Sequence, residues 1–171
     1  MSVGQPPEFR AEFDLTDHFG RAASNSDFLG EFLLVYFGFT NCKVVCPRSL
    51  AKLSSVVGRL VAEGHAIQPL YLTVDPERDT PEVMRRYLAA AFPHFLGLTG
   101  TRQQVDEAKA NFRIFAERKP DPDDPEGYEV PHTAIAYLID PAGEYCGHFP
   151  DHLDEELVFD RIKSILAAHE A

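Results

Sequence analysis

Glu31-Phe32-Leu33-Leu34-Val35-Tyr36-Phe37-Gly38-Phe39-Thr40-Asn41-Cys42-Lys43-Val44-Val45-Cys46-Pro47 is the stretch whose reading decides the fold. Its first seven residues form a nearly continuous apolar run. That is the pattern of a strand covered on both faces, inside a parallel or mixed sheet. Residues 39–46 read as a loop. Pro47 then stands where a helix can begin, because its missing N–H costs nothing in a first turn. Leu50, Leu53, Val56, Val57, Leu60 and Val61 follow at spacings of three and four, one apolar stripe for a helix lying on the sheet, and Gly64 can end that helix.

Upstream of this unit, Phe9, Phe13 and Leu15 suggest a short strand running into a turn at Asp17-His18-Phe19-Gly20, so an N-terminal hairpin is expected. Downstream, a buried strand over 67–74 leads to Asp75-Pro76-Glu77-Arg78-Asp79 and a helix capped by Thr80 with Pro81 in its first turn. A short strand over 95–98 precedes a helix that Thr101 and Gln104 start as a capping box. Lys119 to Gly127, rich in Pro and Asp, reads as an exposed loop. Residues 133–139 and 144–149, joined by Asp140-Pro141-Ala142-Gly143, read as an antiparallel hairpin. Asp154 caps a last helix whose apolar positions are Leu157, Val158, Ile162, Ile165 and Leu166. The simplest assembly is an α/β fold, a mixed central sheet with helices on both faces. The length of 171 residues suits one domain over 1–171, with a short disordered segment expected at 1–8.

Composition narrows the function classes. Hydrophobic residues make up 44% and charged ones 25%, the values of a chain that folds. A net charge of -11 repels a phosphate backbone, and no local cluster of Lys and Arg offsets it, so nucleic acid is not an expected partner. Neither a secretory signal nor an apolar run of about 18 residues stands in the chain.

The chemistry concentrates at the Cys42 and Cys46 pair. If the stretch between them is wound, both sulfurs point the same way. The free N–H groups and positive dipole end of a helix start favour thiolate over thiol, which makes better nucleophiles and better metal ligands. Redox chemistry and metal binding are both open to such a pair, whereas core filling alone does not call for two cysteines at a helix start. Cys146, alone on an expected strand, reads as a small packing residue. His132 follows Pro131 just before a buried strand, while His65, His94, His148, His152 and His169 fall at loops or helix ends. Spacing alone assigns His132 no role.

Four stretches in order, FGFTNCKVVCP, LTVDPERDTPE, GLTGTR and VPHTAIAYLIDPAGEY, resemble the Sco/SenC family of copper-binding proteins, and the likeness runs from about Phe13 to Ile165. The resemblance implies a thioredoxin-like fold with an added N-terminal β-hairpin. It also implies a copper site of Cys42, Cys46 and His132, with Asp75 near it, and a role as a metallochaperone in assembling the dinuclear copper centre of cytochrome c oxidase. Asp75 has an equally good local reading as an Asx residue of the turn before Thr80. Two thiolates suit Cu(I) and an imidazole also suits Cu(II), so either oxidation state can be held. Closing the dithiol to a disulfide would eject the metal. The implied partners are a copper-accepting oxidase subunit or another copper protein, together with a thiol reductant, and the implied location is periplasmic or outward-facing at a membrane. A different class of reading is a thiol-disulfide oxidoreductase, with Cys42 attacking and Cys46 resolving. Where the family often has Asp directly before the ligand His, this chain has Pro131, so orientation of the His132 ring must come from elsewhere.

Overall fold

The computed structural model describes residues 9–40, 45–114, 116, 119–121, 124–129 and 134–170; of 45, 46, 121, 124–129 and 170 it describes the backbone. Segment 1–8, expected to be disordered, lies outside the described residues.

Strands β1 (Asp14–Asp17) and β2 (Ala22–Ser24) make the expected N-terminal hairpin. The Asp17 carboxylate closes its turn by accepting from the Phe19 and Arg21 N–H groups at 2.9 and 3.0 Å. Gly20 has φ +84°, a left-handed conformation that suits glycine at this turn. Next come β3 (Phe32–Gly38), α1 (Val45–Ala62), β4 (Ile67–Thr73), α2 (Pro81–Ala91), β5 (Leu96–Thr99) and α3 (Arg102–Asn111). After them stand β6 (Lys119–Asp121), β7 (Asp124–Glu129), β8 (Ile135–Ile139), β9 (Tyr145–Pro150) and α4 (Glu155–Glu170).

Among the described residues the main sheet runs β2-β1-β5-β4-β3-β8-β9. Strands β3, β4 and β5 are mutually parallel, joined by the crossover helices α1 and α2, and the rest pair antiparallel. This is the mixed sheet expected. All seven residues of β3 are buried because it is central and covered twice. Phe32, Leu34 and Tyr36 face a core closed by α1, α2 and α4, whereas Leu33, Val35 and Phe37 face a second core closed by α3 and the N-terminal segment.

Helix α1 buries Leu50, Leu53, Val56, Val57 and Leu60, each worth about 1.5–3 kcal/mol when taken from water. Gly64, at φ +92°, ends it with the His65 N–H on the Leu60 carbonyl at 2.9 Å. Thr80 caps α2 through the Val83 N–H, and Thr101 and Gln104 form the capping box of α3. Asp154 Oδ1 accepts from the Leu157 N–H at 2.9 Å at the start of α4.

Two positions assigned to apolar stripes are instead exposed. Val61 is 49% and Leu157 37% exposed, because each lies one residue, about 100° of helix rotation, from the buried Leu60 and Val158. The stretch from Lys119, expected to be a loop, contributes the two-stranded ribbon β6-β7. A ribbon of two strands is all edge, so Pro120 and Pro125 can stand in it without removing a bond from a central ladder.

Candidate metal and dithiol site

Gly38 ends β3, and the Val74 N–H donates to its carbonyl at 2.8 Å, so the chain leaves the sheet beside the C-terminal end of β4. Thr40 is the last described residue before the cysteine stretch. Its N–H and hydroxyl both donate to the Asp79 carboxylate, at 3.0 and 2.5 Å. The Thr73 hydroxyl donates to the same carboxylate at 2.8 Å, and the Thr99 hydroxyl to the Asp79 carbonyl at 2.6 Å. Asp79 is fully buried, and burial pushes its carboxyl above the ordinary carboxylate range; the bonds from Thr40 and Thr73 pull the other way. The approach to Cys42 is therefore pinned to the ends of β4 and β5.

Cys46 lies in the first turn of α1, whose unpaired N–H groups and dipole favour anionic sulfur; the helix begins at Val45, one residue before this cysteine rather than just behind it. Cys42 and His132 lie outside the described residues, as does the side chain of Cys46. Their described flanks converge. β3 pairs antiparallel with β8, Tyr36 opposite Ala136, so the end of β3 that leads to Cys42 is the end of β8 that follows His132. Among the described residues no group of three or more His, Cys, Asp and Glu side chains is placed to hold a metal ion.

Asp75 is buried at the C-terminal end of β4, on this same side of the sheet. Its N–H donates to the Thr73 hydroxyl at 2.8 Å, and its carboxylate accepts from Arg78 Nε at 2.5 Å. The Arg78 guanidinium in turn lies 5.9 Å from the centre of the Phe39 ring. Asp75 thus closes its own turn at the C-terminal end of β4, and Arg78 links it to Phe39. Cys146, on β9, is half-buried with its thiol donating to the Leu138 carbonyl at 3.4 Å, and burial pushes it up to about 12. That is a packing cysteine, remote from thiolate chemistry at neutral pH.

A family model described as SCO1/SenC matches residues 2–167. The chain belongs to the SCO1/SenC family. It is 39% identical to the human protein SCO2 homolog, mitochondrial, over 169 residues, which are 98% of this chain and 61% of that one. It is 41% identical to the human protein SCO1 homolog, mitochondrial, over 145 residues, 84% of this chain and 48% of the relative. The chain thus spans about half to three-fifths of the length of these two relatives. The crystal structure of yeast Sco1 with copper bound superposes with a TM-score of 0.84 at 36% identity, over 92% of this chain and 88% of the yeast one. The thioredoxin-like fold expected from the four motifs is therefore the fold of the family.

Two residues that hold the site's surroundings were not singled out from sequence. Asp79 reads as one more turn residue, and only the strand ends converging on it reveal its burial. Asp151, whose carboxylate meets Arg48 and Ser49 of α1, lies 102 residues from Ser49, beyond any local pattern.

Proposed function

We propose that this SCO1/SenC chain binds one copper ion through the Cys42 and Cys46 thiolates and the His132 imidazole. It then delivers the ion to a copper-accepting subunit of cytochrome c oxidase or to another copper protein. The observation that carries this reading is the convergence of three flanks at one end of the sheet: Thr40 before Cys42, the first turn of α1 at Cys46, and Ala134 after His132. The likeness to the copper-bound yeast protein supports the same metal.

Two sulfurs and one nitrogen hold Cu(I) by the softness of the thiolates and Cu(II) by the added imidazole. Three protein ligands leave a position free for a donor from the accepting protein, so the ion can move by ligand exchange. A thiol reductant keeps the pair competent, because oxidation of both thiols to a disulfide removes two ligands with loss of two protons and two electrons. Asp75, with Arg78 bonded to it and packed on Phe39, is the neighbouring group proposed to support the site. We place the site in a periplasmic or other outward-facing compartment at a membrane, in keeping with the mitochondrial relatives.

Anaerobic titration of the reduced chain with Cu(I), then Cu(II), tests the proposal. One tight equivalent is expected, lost in Cys42→Ala and Cys46→Ala. His132→Ala should bind Cu(II) more weakly with an altered thiolate-to-Cu(II) absorption. Binding that is weak and indifferent to all three substitutions, with catalysed disulfide exchange by the metal-free chain, would replace delivery with thiol-disulfide oxidoreduction.

A further inference from the structure

We infer that Asp151 is a positioning residue for the copper site, tying the backbone that follows His132 to the first turns of the helix that carries Cys46. The inference rests on the copper reading above.

Asp151 occupies the turn after β9, where the β8-β9 ladder ends with Ile135 opposite Pro150. Its backbone N–H donates to the Ala134 carbonyl at 3.0 Å, two residues after His132. Its carboxylate turns to α1, accepting from the Ser49 hydroxyl and from Arg48 Nη2 at 3.0 Å. Lys52, one turn further along α1, donates to the Asp151 and Leu153 carbonyls at 2.6 and 2.8 Å, and its ammonium lies 3.9 Å from Asp151 Oδ1. One residue therefore bonds through its main chain to the His132 side and through its side chain to the Cys46 side.

The contact is sheltered. Ser49 is buried and the Asp151 side chain only 15% exposed, so water competes poorly for these bonds. Burial opposes ionisation of Asp151, yet the Ser49 and Arg48 bonds and the Lys52 and Arg48 charges outweigh it and hold the carboxyl below the ordinary range. At neutral pH it is an anion bound to cations and a hydroxyl of α1.

The chain has a chemical need for such a tie. An imidazole ligand is usually oriented by an acceptor on its other ring nitrogen, and Pro131, directly before His132, has no side-chain acceptor to offer. Placement of the ring relative to the thiolates then depends on how firmly the backbone of β8 is fixed to α1. Asp151 is the described residue that bonds both.

The test measures Cu(II) affinity of the full chain by competition with a chelator, and the thiolate-to-Cu(II) absorption, for Asp151→Ala, Asp151→Asn and Ser49→Ala. Asp151→Ala should lose about tenfold in affinity and shift the absorption, the size of effect seen when a metal ligand's support is removed. Asp151→Asn, which keeps an acceptor for Ser49, should recover most of it. In the His132→Ala background the Asp151→Ala substitution should cost nothing further, because its effect passes through His132.

Arg59→Ala serves as the control. It breaks bonds of 3.2 and 2.7 Å to Glu155 and Glu156 of α4 and should lower stability without touching copper. If Asp151→Ala fails to fold, Ser49→Ala carries the same test through a smaller change. Unaltered affinity and absorption in the Asp151 and Ser49 variants, where His132→Ala itself weakens binding, would overturn the inference alone. The same loss in both backgrounds would also overturn it. Indifference of copper to His132→Ala would remove the copper reading and this inference together.

Discussion

Replacing Asp79 with alanine is expected to destabilise the fold by about 4 kcal/mol, against about 1 kcal/mol for asparagine. The difference comes from who is left without a partner. Alanine strands three buried or half-buried donors, the Thr40 N–H and the Thr40 and Thr73 hydroxyls, and leaves a small cavity. Hydrogen bonds to a charged acceptor contribute roughly 1.5–3 kcal/mol each, and relief of the buried charge returns part of their sum. Asparagine keeps one oxygen for the Thr40 N–H and Thr73, while its amide can donate to a Thr40 hydroxyl that rotates to accept. With a urea slope of about 2 kcal/mol/M, the midpoint should fall by roughly 2 M for Asp79→Ala and 0.5 M for Asp79→Asn. The pH series adds a sign. Burial raises the folded-state pKa of Asp79 above its unfolded value. This ionisation therefore contributes stability that is fully present below the unfolded pKa of about 3.9 and lost as pH rises through the folded pKa. Asparagine cannot titrate, so the parent's advantage over Asp79→Asn should be largest in acid and shrink toward neutrality. Equal midpoints for the two variants, or an advantage that grows with pH, would refute this account of the carboxylate.

His18 carries an opposite acid dependence. Its ring is buried with Nδ1 accepting the Gly97 N–H at 3.1 Å, and burial lowers its pKa, helped by the charges of Arg85 and Arg21 and opposed by Asp17. Its contribution is present above the unfolded pKa of about 6.5 and is lost as pH falls through the folded value. Urea unfolding at pH 8 and pH 5 should show a smaller loss on acidification for His18→Gln than for the parent. Thiol counting with a disulfide reagent at pH 8 should find two fast groups and a third that reacts only on unfolding, since the Cys146 thiol is held near 12 and bonded to Leu138. Cys146→Ala should leave the copper stoichiometry at one; a lower value would bring Cys146 into the site.

What the sequence made legible is what repeats with the period of burial. β3 could be recognised because a strand covered on both faces has no polar alternation, and α1 because Leu50, Leu53, Val57 and Leu60 return to one side. Thr80, Thr101 with Gln104, and Gly143 at φ +85° announced boundaries through chemistry confined to a few residues. The ribbon β6-β7 escaped because its pairing is a backbone affair in a stretch whose Pro and Asp content reads as loop. At the site, the cysteine pair was visible as two thiols at a helix start, whereas His132 gained a role only from the order of four motifs along the chain.

The carboxylates behave differently from either class. Asp79 and Asp151 look in sequence like turn residues, and each does stand at a turn, but beyond Thr73, six residues from Asp79, their energetic roles come from donors 39 to 103 positions away. A polar tie between distant segments has no period and no neighbour to signal it. It is recognisable only after the apolar pattern has brought the strand ends together. On the proposed copper reading, those strand ends are also where the segments carrying Cys42 and His132 attach. The residues that set ligand placement are then the ones a linear reading ranks as ordinary. On the same proposed reading, the orientation that Pro131 does not supply to His132 comes through the sheet and α1, which Asp151 bonds together.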